Sequence, residues 1–147
     1  MRKTHLTGLV AAPALALAPP PSSVTGGGTR ADGARTWVVG GTIRRTPTGV
    51  VGHFHVIATV PPYQYAPLVC FYERFGNVTV TPSGFAADAL GVCTGENESG
   101  PFQFTASNRI SIVDNTPAAA DTFDMNFYGP TGIAVPGGPI RGDFLVD

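Results

Sequence analysis

Arg109-Ile-Ser-Ile-Val113, Asp114-Asn-Thr-Pro-Ala-Ala-Ala-Asp121 and Thr122-Phe-Asp-Met-Asn-Phe-Tyr128 decide the fold. The first and third segments alternate apolar and polar residues, the period-2 signature of a strand with one wet face. The acidic segment between them is rich in turn formers. A Gly/Pro-rich connection follows, and Ile140, Phe144 and Val146 then alternate along a closing strand. Strand, acidic loop, strand, turn and strand in close succession define a β-meander. Its expected core is Ile110, Ile112, Phe123, Met125, Phe127, Phe144 and Val146.

Upstream, the chain breaks into short apolar segments separated by turn residues. Thr36-Trp-Val-Val39 opens a strand, and Gly40-Gly41 marks a bulge or a close backbone approach. Arg45-Thr-Pro-Thr-Gly49 is a turn. In Val50 to Val60, Phe54, Val56 and Ala58 alternate against His53, His55 and Ile57. Pro61-Pro-Tyr-Gln-Tyr-Ala-Pro67 is an extended connector. Leu68 to Phe75 and Val78 to Thr81 read as two strands punctuated by Gly76-Asn77, and Phe102 to Ala106 leads into the meander. Ala86-Ala-Asp-Ala-Leu90, within Phe85 to Thr94, also reads as one helical turn. No segment holds a 3.6-residue period over ten positions, so the class is all-β: one domain, an antiparallel β-sandwich or partly closed β-barrel, with at most a short helical turn.

Residues 1–24 read as a secretory signal peptide. Arg2, Lys3 and His5 precede the apolar run Leu6 to Ala18, which is too short to span a bilayer. Ala16-Leu-Ala18 offers small residues for cleavage but Pro19 follows, which places the cut anywhere from 18 to 26. Residues 25–35, around Gly26-Gly-Gly28, read as a flexible Gly/Pro-rich leader, and 36–147 as the β domain. A domain of that size buries roughly two-thirds of its unfolded surface. Loss of Arg2 and Lys3 takes the Lys and Arg count from 9 to 7 against 10 acids, a net charge of about −3. No lysine remains, so no basic patch is expected to hold a nucleic-acid backbone. Arginine used in place of lysine, with high Ala, Gly and Pro, suggests a GC-rich bacterial genome.

Cys70 and Cys93 both sit in apolar strand-like segments of an exported chain, which favours a single disulfide over two buried thiols. Closing that loop stabilises the fold by roughly 3 kcal/mol in the chain-entropy model. Asp114, Asn115, Asp121 and Asp124 offer four oxygen-bearing side chains, as a calcium loop would, but ordinary turn chemistry is the leading account of them and no regular calcium spacing is present. His53 and His55 point to one face of a strand, as in His-x-His sites for zinc, copper or iron. No third histidine stands in residues 25–147. Glu73 with Asp88, or Glu96 with Glu98, has the composition of a glycosidase pair, with no carboxylate separation to support it. Nucleophile elbows, phosphate loops and Cys-x-x-Cys motifs do not occur.

Tyr63 and Tyr65, held between prolines, and Trp37 are the candidate ligand-binding aromatics, provided their rings are exposed. Arg141-Gly-Asp143 spells an adhesion tripeptide but lies within the closing strand. Asn77-Val-Thr79 and Asn97-Glu-Ser99 match the glycosylation pattern.

Gly26-Gly-Gly28, Gly40-Gly41, Gly52-His-Phe54, Asp114-Asn115, Asp121-Thr-Phe123 and Gly137-Gly138 together resemble the post-COAP domains of secreted bacterial proteins. The likeness is specific in Ile110 to Phe127, while Cys70 to Gly100 diverges. What it implies is a small exported β module; it carries over no established activity and adds no catalytic residue. The expectation is a secreted or cell-envelope, non-catalytic module with a structural or binding role and no cofactor, calcium being the weak exception. Its partner would be an extracellular protein or a glycan. The alternatives are a carbohydrate-binding module using Tyr63, Tyr65 and Trp37, and a small secreted hydrolase.

Overall fold

The computed structural model describes residues 22–59 and 66–147. Residues 1–21 of the expected signal segment, and Tyr63 and Tyr65, lie outside the described residues. Among the described residues nine strands follow one another: β1 (Ser23–Asp32), β2 (Arg35–Thr46), β3 (Gly49–Thr59), β4 (Ala66–Thr81), β5 (Gly84–Asn97), β6 (Gly100–Val113), β7 (Thr122–Phe127), β8 (Val135–Pro139) and β9 (Arg141–Val146). Each strand from β1 to β7 pairs antiparallel with the next, and β9 returns to pair with β1. The result is a single antiparallel sheet nearly closed into a barrel, which decides between the two expected all-β architectures. No helix among the described residues is long and apolar enough to cross a membrane.

One inward-facing row shows why these residues make a narrow barrel. Phe144, Gly26, Gly41, Phe54, Tyr72, Gly91 and Ala106 are successive register partners around the wall. Pairs of large and of small residues therefore take turns around the wall, which lets the interior of a small barrel fill. The Phe54 and Phe144 rings stack at 6.2 Å, and Phe123 joins them at 5.7 Å from Phe54. A Cβ on Gly41 (φ 154°) would meet the His53 carbonyl oxygen, and one on Gly26 (φ 130°) that of Asp143. Only glycine permits both the dihedral and the approach.

Several expectations change here. The expected flexible leader at 25–35 is instead most of β1 and the turn after it. Val24 is buried, and Gly26 and Gly28 lie between two ladders. The first described strand accordingly starts at Ser23, ahead of the expected boundary at 36. Trp37 faces inward from β2 at 3% exposure, so it is core and unavailable to a ligand. Ala86 to Leu90 is strand, because Ala87 and Ala89 supply small inward positions. Leu68 to Thr81 runs as one strand, β4, kept in the ladder by bulges. Phe127 is 58% exposed, since β7 ends there and the chain turns away, the Tyr128 N–H bonding the Ser107 carbonyl.

β8 and β9 are separated only by Ile140, so residues 135–146 pair first with β7 and then with β1. At this seam each half-strand has one edge without a neighbouring strand, and charged side chains occupy the missing places. Arg30 of β1 donates from Nε to the Pro136 carbonyl (2.9 Å), from Nη2 to Gly137 (3.2 Å) and from Nη1 to Pro139 (3.4 Å). On β9, the Phe144 N–H donates to Asp121 Oδ2 (2.6 Å) and the Val146 N–H to Asp114 Oδ2 (3.3 Å). Asp121 Oδ1 also accepts from the Asn115 N–H at 2.8 Å. Burial at 1% exposure would raise the Asp121 pKa. The donors from Phe144, Asn115 and Thr116 outweigh it and hold the carboxyl below the usual range.

Candidate functional site: a bulged hollow on the outer wall

Cys70 and Cys93 are direct register partners on β4 and β5, face the core, and stand at disulfide distance. This pair and the absence of a membrane-length helix among the described residues are compatible with an extracellular protein. Below the cysteines β4 slips twice against β5, between Tyr72 and Arg74 and between Gly76 and Thr79. Such bulges re-aim side chains and open the ladder. At the second slip Asn77 has φ 45°, the only positive φ outside glycine among the described residues. Asparagine tolerates it better than other side chains.

Asp88 lies across from this irregularity. Its neighbours Ala87 and Ala89 point inward, so Asp88 points outward, yet only 8% of it is exposed. Arg109, its register partner on β6, donates from Nη1 to Asp88 Oδ1 at 2.9 Å, and Asn77 Nδ2 donates to Oδ2 at 2.5 Å. The same Arg109 nitrogen reaches the Asn77 carbonyl at 2.8 Å. Burial raises the Asp88 pKa, but Asn77, Arg109 and the Tyr128 hydroxyl together bring it below the ordinary value. The carboxylate is therefore ionised and held fixed by its donors.

Above it opens a hollow of about 240 Å³ lined by Arg74, Phe75, Asn77, Asp88, Leu90 and Tyr128. A second space of about 250 Å³, walled by Phe71, Glu73, Val92 and Thr105, adjoins it through Arg74 and Leu90. Val69, Phe71, Leu90 and Val92 are all exposed, which makes the outer face of β4 and β5 apolar around the two spaces. A wider hollow of about 690 Å³ at the seam has Arg30 on its wall, but that guanidinium is engaged by the β8 carbonyls.

The expected site residues are dispersed. His53 and His55 share the outer face of β3; His53 stacks on Phe71 at 6.1 Å, and His55 is Phe71's register partner. Among the described residues no group of three or more His, Cys, Asp or Glu side chains is placed to hold a metal ion. Asp114 and Asp121 bond backbone N–H groups, the Asn115 side chain donates to the Ala120 carbonyl, and Asp124 stands apart, accepting from Asn126. Glu73 and Asp88 open into adjacent spaces rather than one cleft, and Glu96 and Glu98 lie by the β5–β6 turn. Arg141-Gly-Asp143 lies in β9, with Asp143 Oδ1 2.9 Å from the Thr116 hydroxyl.

Arg74, Arg109 and Tyr128 were not singled out by sequence. Arg109 opposite Asp88 is legible only once the β5–β6 register is known, and Gly76-Asn77 signals a break without saying what faces it. No family model, curated protein or solved structure matches the chain.

Proposed function

We propose that the chain is a non-catalytic β module working outside the cell, in the extracellular space or cell envelope. Its role is to bind, through the outer β4–β5 wall. The observation that carries this reading is the exposed apolar ground of Phe71, Leu90 and Val92 around a fixed, ionised Asp88. Fixed polar groups in a largely apolar hollow are what a recognition site offers. The basic, apolar run at 2–18 and the post-COAP resemblance support the location. The hydrolase alternative would need Glu73 and Asp88 to share a cleft.

The reading is tested by retention of the exported protein on the cell-envelope fraction of its producing organism. Wild-type protein is expected to be retained, and Leu90→Glu, which puts a carboxylate on the apolar ground of the hollow, is expected to elute. Equal retention of both, or none for wild type, overturns the reading.

A further inference from the structure

We infer that the hollow over Asp88 takes one ring of an acidic saccharide, a uronic acid unit within a glycan chain; this rests on the binding role proposed above. A pyranose ring has an apolar C–H face and a rim of hydroxyls, and the hollow is divided the same way. Phe75, Leu90 and the Tyr128 ring make its apolar side, and Asp88, Asn77 and Arg74 its polar side. Tyr128 is 59% exposed, so its ring is open to stacking. At about 240 Å³ the space is smaller than a drug-sized site and suits a single ring.

The polar groups say which kind of sugar. Asp88 accepts from Arg109 at Oδ1, from Asn77 at Oδ2 and from the Tyr128 hydroxyl, which leaves the carboxylate one further acceptor position for a ligand hydroxyl. Its charge is already matched by Arg109. Arg74 has no ion-pair partner among the described residues, which leaves the rim of the hollow cationic. A guanidinium beside vacant space favours a planar carboxylate, which it can hold by two parallel bonds. The adjoining space, reached past Arg74 and Leu90 and ending at Phe71, has room for the next residue of the chain. The ladders on both sides of the bulge fix Asn77 and Asp88 before any ligand arrives, which lowers the ordering cost of binding.

The test is titration of the folded, disulfide-intact protein with digalacturonate and trigalacturonate, followed by amide chemical shifts. Cellobiose and a sulfated disaccharide serve as comparisons. Saturable shifts at residues 74–77, 88–90 and 128 are expected with the uronates, weaker ones with cellobiose, and none of that pattern with the sulfated sugar. Tyr128→Phe keeps the ring and should bind within a few-fold of wild type, whereas Tyr128→Ala should lose about tenfold. Arg74→Gln should weaken the uronates to the level of cellobiose. Absence of saturable binding by the uronates overturns the inference, as does equal binding of the sulfated sugar or indifference to both Tyr128→Ala and Arg74→Gln. Should envelope retention depend on Leu90 but resist competition by trigalacturonate, the saccharide assignment fails while the binding role stands.

Discussion

The seam between β8 and β9 and the wall between β4 and β5 solve opposite problems. At the seam, backbone groups lack a neighbouring strand, and Arg30, Asp114 and Asp121 act as substitutes for one. At the wall the strands are present but out of step, and the slips release polar groups that Asn77, Asp88 and Arg109 gather outside the barrel. A buried charge at the seam is structural because its hydrogen bonds are to backbone that has no other partner. A covered charge on the wall faces a hollow and retains acceptor capacity. Burial and a lowered pKa are common to Asp88 and Asp121; what surrounds them separates their roles.

The comparison can be broken hardest through the glycines behind the seam. Gly41→Val would drive a branched Cβ into the His53 carbonyl at φ 154° and should leave no cooperative urea transition. Gly76→Ala, on the wall, meets nothing within 4 Å and should stay within about 0.5 kcal/mol of wild type. Next in size, Asp121→Ala strands the Phe144 and Asn115 N–H groups and should cost about 3 kcal/mol in urea unfolding. Replacing both Cys70 and Cys93 by alanine opens a loop of sequence separation 23 and should cost a similar amount, about 3 kcal/mol.

Acid sharpens the contrast. Asp88 and Asp121 both have folded pKa values below their unfolded ones, so each contributes stability above the unfolded carboxylate value, about 3.9. That contribution is lost as pH falls through the lower folded values. Denaturation midpoints measured from pH 6 downward should therefore decline below about pH 4. The decline should be shallower in Asp121→Asn, which no longer titrates there. The smallest effect belongs to Arg74→Gln, which should leave stability within about 0.5 kcal/mol while altering binding at the wall.

The sequence made the class legible because period-2 alternation survives without knowledge of neighbours. Ile110, Ile112, Phe123, Met125, Phe144 and Val146 are all buried as that alternation requires. Cys70 and Cys93 were legible for the same reason, each sitting among apolar partners. Gly26-Gly-Gly28 was not, because a glycine's role in a strand is set by the neighbouring backbone that approaches it. Phe144 lies 118 positions away and meets Gly26 only through barrel closure. Trp37 carried no sign of which face it would take. The wall site was hidden by two slips in register that no local pattern announces, so Asp88 looked like part of a possible helical turn and Arg109 like an ordinary strand residue.

Amide hydrogen exchange at Phe144, compared between wild type and Asp121→Ala at one pH, tests the carboxylate clasp most directly. The Phe144 N–H, which faces no strand, is expected to be protected in wild type to the level of the β1–β9 ladder. In the variant it should exchange faster by about 30-fold beyond the general increase seen for the β4–β5 amides flanking Cys70 and Cys93. A Phe144 amide that exchanges as an open one in wild type, or that accelerates no more than the wall amides in the variant, would contradict it.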